Sequence, residues 1–251
     1  VSFVILYFLL HFLFNFNRGE RFLKKEWWTV RAPGMFQERN FTVSPVNCTA
    51  GERLSSDNIK GRVYTVSLGD LNSTAPHKKI KLVVDEETEK GSKVAMTNFY
   101  GMDTTRDHLC SLIRKWHTLI DCFVDAKTSD GFLLRLFVTC STKKAKKQQR
   151  ATSYAQNNHV KQIRKIMTTL VSKEVKKSTL KELVPKLLAD SITEEITKKA
   201  KAIFPIQNCI IRKVKSVKRP RFDMSQLLSM HADSAVVAAP AKEEVAAKTD
   251  A

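Results

Sequence analysis

From residue 60 the apolar positions alternate. Val63, Thr65 and Ser67 fall on one side and Tyr64, Val66 and Leu68 on the other, which predicts a half-buried strand over 60–71. Two more strands are predicted over 79–85 and 93–100, separated by the turn-like Lys90-Gly91-Ser92. Asp103 or Thr104 is placed to cap a helix whose apolar stripe is Leu109, Leu112, Ile113, Trp116, Leu119 and Ile120. Residues 123–128 and 132–140 then flank Ser129-Asp130-Gly131, and Asp-Gly between two β-rich runs predicts a hairpin. In its second arm Phe132, Leu134, Leu136, Val138 and Cys140 share one face, while Leu133, Arg135, Phe137 and Thr139 share the other. Apolar residues on both faces predict a central strand rather than an edge.

After Ser141 the period changes. Val160, Ile163, Met167, Leu170, Val171 and Val175 mark an amphipathic helix. A second helix starts at the capping candidate Thr179 and buries Leu180, Leu183, Val184, Leu187 and Leu188, with Pro185 expected to kink or shorten it. Ser191-Ile192-Thr193-Glu194 fits a capping box, and Ile192, Ile196, Ala200 and Ile203 continue a third helix. Residues 206–217 return to strand character. The expected class is therefore α+β: strand-rich to about 140, helical over 152–204, then a late strand able to rejoin the sheet. One such domain is expected over 22–231. A disordered tail of Ala, Val, Lys and Glu is expected over 232–251.

Charge adds a partner to this picture. The chain has 251 residues, 43% apolar and 27% charged, with 43 basic against 25 acidic side chains, net +18 and pI ≈ 9.8. Such a surplus repels itself unless a polyanion offsets it, which makes nucleic acid the first candidate partner and an anionic membrane the second. The surplus is concentrated. Lys143, Lys144, Lys146, Lys147, Arg150, Lys161, Arg164, Lys165, Lys173, Lys176 and Lys177 meet one acid, Glu174. Arg212, Lys213, Lys215, Lys218, Arg219 and Arg221 meet none. Each base that neutralises a phosphate releases condensed counterions, so the two runs are candidate RNA-binding segments. A solvated face is the ordinary meaning of a single mixed-sign run. Lys161, Arg164 and Lys165 share one helix face, offset from the apolar stripe. Tyr154 sits inside the first run, where stacking on a base and a core or turn role both remain open. No ribonucleoprotein aromatic motif, GxxG clamp or helix-turn-helix pattern is present, so contact with backbone and RNA shape is expected.

Catalysis finds little material. There is no GxSxG, Walker loop, HExxH or CxxC, and only 8 glycines to build a phosphate loop. Asp121 and Asp125 would share a strand face, where a salt bridge to Lys127 or Arg135 is the plainer role than a carboxylate pair. His108 and His117 are too far apart on a helix to be a ligand pair, and Cys110 is expected in the core. Cys48, Cys110, Cys122, Cys140 and Cys209 are odd in number and dispersed, which predicts reduced, mostly buried thiols rather than zinc or disulfides. No catalytic residue, metal, cofactor or small-molecule substrate is expected.

Residues 1–17 contain no Asp, Glu, Lys or Arg but five phenylalanines, Phe3, Phe8, Phe12, Phe14 and Phe16. A helix of this length is about 25 Å, slightly short of a bilayer core. A truncated membrane anchor, a buried apolar arm and residues foreign to the native protein are the three candidate readings, and the third is favoured. The segment 1–21 is accordingly expected to be non-native or disordered. Sequons at Asn40, Asn47 and Asn72 are short enough to arise by chance.

Several ordered strings carry a family resemblance. They include Lys24-Lys25-Glu26-Trp27-Trp28 leading to Ala32-Pro33-Gly34-Met35-Phe36, Lys60-Gly61-Arg62-Val63 with Val66-Ser67-Leu68, and Thr97-Asn98-Phe99 with Gly101-Met102-Asp103 and Thr105-Arg106-Asp107. Asp130-Gly131 with Leu133-Leu134-Arg135-Leu136-Phe137 continues the series. Further on stand Thr152-Ser153-Tyr154-Ala155-Gln156, Gln162-Ile163-Arg164-Lys165, Ile211-Arg212-Lys213-Val214-Lys215 and Pro220-Arg221-Phe222. From about residue 22 to 231 the chain resembles the S-three-a (S-one-e) family of small-subunit ribosomal proteins. The resemblance implies a β-barrel-like mixed sheet flanked by helices and a non-enzymatic role in subunit maturation and translation. It also implies binding to small-subunit ribosomal RNA and to neighbouring ribosomal proteins, near the messenger exit and the initiation-factor region. A cytoplasmic ribosome, reached through the nucleolus, is the implied location. The family's Lys/Gly-rich basic arm is replaced here by residues 1–17. The competing reading is a membrane-anchored basic protein that uses 1–17 as its anchor.

Overall fold

The computed structural model of the chain describes residues 22–87 and 93–232. Eight strands form one mixed sheet: β1 (Lys25–Arg31), β2 (Asn40–Asn47), β3 (Val63–Ser67), β4 (Lys78–Glu87), β5 (Val94–Thr104), β6 (Leu119–Lys127), β7 (Leu133–Thr142) and β8 (Ile206–Lys218). Seven helices accompany them among the described residues. They are α1 (Ser55–Ile59), α2 (Leu68–Asn72), α3 (Arg106–Leu112), α4 (Asn157–Lys177), α5 (Leu180–Leu188), α6 (Ser191–Ala200) and α7 (Met224–His231). The class is α+β, as expected.

The sheet runs in the order β2-β1-β5-β8-β7-β6 and does not close into a barrel. On its other edge β5 pairs with β4, and β4 with β3. Strand β5 shares its first edge between two partners. Val94–Met96 pairs parallel with Thr29–Arg31, and Gly101–Asp103 pairs antiparallel with Lys213–Lys215. The late strand therefore does rejoin the sheet, and its place is between β5 and β7. A glycine is required at this junction: a Cβ on Gly101 would lie 2.6 Å from the Val214 carbonyl oxygen.

The 130–131 turn joins β6 and β7 in continuous antiparallel register from Leu119↔Ser141 to Lys127↔Leu133. Ile120, Val124, Ala126, Leu134, Leu136, Val138 and Cys140 are buried on one face. Helix α4 covers that face with the six residues its period picked out, Val160, Ile163, Met167, Leu170, Val171 and Val175, all buried. Each such side chain contributes roughly 1.5–3 kcal/mol relative to exposure. A separate small cluster of Trp28, Val30, Val46, Ile59, Val84 and Ala95 lies under β1, β2 and α1.

Tertiary pairing overrides the alternation and the helical stripe at two places. Strand β3 stops at Ser67, whose hydroxyl accepts the Gly69 N–H at 3.2 Å and starts α2. The turn of helix puts both Leu68 and Leu71 in the core, which a continuing strand would not. Helix α3 begins after Thr105, not at Asp103 or Thr104, and ends at Leu112. Ile113 and Trp116 are exposed rather than part of a core stripe, and Leu119 and Ile120 belong to β6. Pairing with β7 claims these residues for the sheet. The predicted turn at Lys90-Gly91-Ser92, the segment 1–21 and the tail 233–251 lie outside the described residues.

Helix α5 starts with a full capping box in which Thr179 and Glu182 exchange side-chain-to-backbone bonds. Pro185 sits inside it, yet the helix continues to Leu188. Its carbonyl end is closed by Lys78, a buried ammonium that donates to the carbonyl oxygens of Leu187 (3.3 Å) and Leu188 (2.9 Å) and to the Asp190 carboxylate (2.6 Å). Asp190 stands in the left-handed region at φ 57° and itself precedes α6, so Ser191 is the first helical residue rather than a cap. The two-residue link leaves no room for the capping box expected there. Replacing Lys78 by Met removes three acceptors' partner from a buried site. It is expected to destabilise the fold by about 2–4 kcal/mol, read as a lower urea midpoint with an unchanged slope.

The five thiols are free and divide by exposure. Cys140 is buried and Cys122 and Cys209 are half-buried, but Cys48 and Cys110 are exposed, so Cys110 is not a core residue. It lies on the solvent side of α3, whose buried residue is Leu112. Burial pushes the Cys122 thiol up to about 11 and the Cys209 thiol up to about 12, and raises Cys140 further. A thiol reagent at mildly alkaline pH should modify Cys48 and Cys110 quickly and the other three only after denaturation, as counted by intact-mass spectrometry.

Candidate nucleic-acid interface

The first basic run occupies the connection between β7 and α4 and then the outward side of α4. Lys143, Lys144, Lys146, Lys147 and Arg150 are all exposed on the loop 143–156. The loop is held from beneath by small polar side chains. Buried Thr142 donates its hydroxyl to the Ser153 carbonyl at 2.5 Å and accepts the Thr118 N–H at 2.9 Å. Buried Ser153 donates to the Lys143 carbonyl at 2.8 Å, and Gln148 donates to the carbonyls of Arg150 (3.1 Å) and Thr152 (2.5 Å). The backbone is thus fixed while the ammonium groups point to solvent.

On α4 the face Lys161, Arg164, Lys165 is exposed and flanks the buried stripe. Arg164 gives one donor to the Asp121 carbonyl of edge strand β6 at 3.1 Å. None of Lys143, Lys144, Lys146, Lys147, Arg150, Lys161, Arg164 and Lys165 has a carboxylate partner among the described residues. Tyr154 is 59% exposed, which settles it as a surface residue rather than a core one.

The second run lies elsewhere and is chemically different. In β8, Val214 faces the core while Lys213 and Lys215 face the side of the sheet turned away from α4. That outer face also carries Phe123, Asp125, Arg135 and Phe137. The Arg212 guanidinium stands 5.4 Å and the Lys215 ammonium 5.8 Å from the Phe137 ring centroid. Arg135 stands 5.6 Å over Phe123. Several of the charges are already matched. Lys213 pairs with Asp103 at 3.1 Å and Arg219 with Asp85 at 3.0 Å while lying over Tyr100 at 4.9 Å. Lys218 and Arg221 are exposed.

The two runs are therefore not brought together into one patch. Sequence reasoning did not single out Tyr100, Phe123, Phe137 and Arg135 as part of a surface. The alternation in β6 and β7 marked Phe137 as facing away from the core-facing residues, but only the register with β8 places cations beside it. Asp125 forms a bidentate pair with Arg135 at 2.6 and 2.7 Å, and the hydrogen bonds from that guanidinium hold its carboxyl below the usual range. His108 stacks on His77 at 4.3 Å rather than meeting His117. Among the described residues no group of three or more His, Cys, Asp or Glu comes together as a metal site, and no helix is long and apolar enough to cross a membrane. A family model described as the Ribosomal S3Ae family matches residues 17–220.

Proposed function

The chain belongs to the ribosomal S3Ae family, whose members are small-subunit ribosomal proteins, and from that premise we propose that it holds small-subunit ribosomal RNA through its two basic segments. The family is structural rather than enzymatic. One observation carries the RNA-binding part. The loop 143–156 presents five basic side chains without a carboxylate partner, on a backbone anchored by Thr142, Gln148 and Ser153. An anchored, uncompensated cluster releases counterions on meeting phosphate without first breaking an ion pair.

Within this reading Lys143, Lys144, Lys146, Lys147, Arg150, Lys161, Arg164 and Lys165 form the stronger contact. Arg212, Lys215, Lys218 and Arg221 form the weaker one, since Lys213 and Arg219 are paired with carboxylates. The protein supports subunit assembly and translation, touches neighbouring ribosomal proteins, and lies near the messenger exit and the initiation factors. Its place is the cytoplasmic ribosome, after passage through the nucleolus. What supports these finer statements is the family.

Reversing Lys143, Lys144, Lys146 and Lys147 to Glu tests the proposal. The variant should keep its circular-dichroism spectrum and lose small-subunit co-sedimentation in a sucrose gradient. The salt dependence of RNA binding by the free chain should flatten by about 3–4 in the log–log slope. Undiminished incorporation into subunits would remove the loop from the interface.

A further inference from the structure

We infer that Trp116 and Tyr154 form a stacking platform for an unpaired stretch of RNA, an inference that rests on the RNA-binding reading above and specifies the kind of RNA it takes. Trp116 is 57% exposed and Tyr154 59%, although large aromatic rings gain most by leaving water. The two are fixed close together by backbone. The Ser153 N–H donates to the Trp116 carbonyl at 2.8 Å, His117 and Ser153 form a parallel bridge, and the Ala155 N–H donates to the Thr118 hydroxyl at 3.1 Å. The strips that carry the rings need no ordering on binding, because they are already stitched to buried Thr142 and Ser153.

Trp116 also has φ 68°, in the left-handed region that a bulky residue rarely occupies. Strain of this kind persists where the surroundings impose it, and it concentrates at functional positions. Here it falls in the link between α3 and β6 that carries the exposed indole.

The electrostatic setting identifies the partner. The strips 108–120 and 131–173, which contain both rings, hold no Asp or Glu. Trp116 follows Arg114 and Lys115 directly, and Tyr154 follows the five bases of the loop. A polyanion with exposed planar groups satisfies both features at once: phosphates meet the bases and nucleobases stack on the rings. A paired helix offers only its backbone, because its base faces are covered by their neighbours.

The test uses the full chain with two probes, a short adenylate oligomer and an RNA duplex of equal length. In a Trp27→Phe background, where Trp28 is buried, the oligomer should quench Trp116 fluorescence and the duplex should not. Trp116→Ala and Tyr154→Ala should each weaken oligomer binding on the order of ten-fold, with duplex affinity and salt slope unchanged. Trp116→Phe and Tyr154→Phe should retain most of it. If both alanine variants bind the oligomer as the parent does while the duplex still binds, the platform is wrong and the phosphate-binding reading stands. If the parent chain binds neither probe at low salt, that reading fails and the platform with it. Loss of a neighbouring protein from subunits carrying Trp116→Ala, with oligomer affinity unchanged, would assign the indole to a protein contact and overturn the inference.

Discussion

Every strand of the sheet is connected through the two edges of β5. One edge pairs with β4 and through it β3; the other is divided between β1, which brings β2, and β8, which brings β7 and β6. The division works because β1 leaves β5 after Met96 and β8 arrives at Gly101. A side chain at Gly101 would press on the Val214 carbonyl and force the two backbones apart. Each ladder bond is worth only about 1 kcal/mol net, but the registers of β7 and β6 are set through β8. This junction joins the hairpin of β6 and β7, whose inner face α4 covers, to the rest of the sheet.

The junction also decides how the positive charge is presented. Strand β8 lies between β5 and β7, so its bases emerge beside Asp103 of β5 and Phe137 of β7 and are in part neutralised there. The bases of the loop 143–156 and the α4 face Lys161, Arg164 and Lys165 are exposed and form no ion pair among the described residues. Two runs that look alike as strings of lysine and arginine thus have different chemistry. One is a surface of matched charges interleaved with aromatic rings, and the other an uncompensated cluster held on a rigid loop.

Lys78 shows the same principle inside the protein. A single buried ammonium closes a proline-containing helix by bonding two carbonyls and a carboxylate, and it links the start of β4 to the α5–α6 turn. An ammonium in that position is tolerated because all three of its donors are used.

The hairpin at Asp130-Gly131, the helix of Val160 to Val175 and the helix start at Thr179 are legible in the sequence, because turn chemistry, period and capping are properties of neighbouring residues; the capping box itself forms at Thr179 and not at Ser191. The two basic runs were legible for the same reason. The fate of residues 113–120 was not: their spacing suits a helix, but β7 claims Leu119 and Ile120, and its strand lies beyond the next turn. Nor did the sequence show that Leu68 would start a helix or that Arg212 and Lys215 would settle around Phe137. Trp116 is exposed on a left-handed backbone, a conformation that residue type alone disfavours. By itself the sequence determined the hairpin of β6 and β7, the three helices between 157 and 200, the late strand β8, the α+β class and the location of charge along the chain, but not β1, β2, α1 or α7. Only the tertiary structure decided which charges stay unmatched and which aromatic rings face water, because those outcomes depend on strand pairings between residues far apart in the chain.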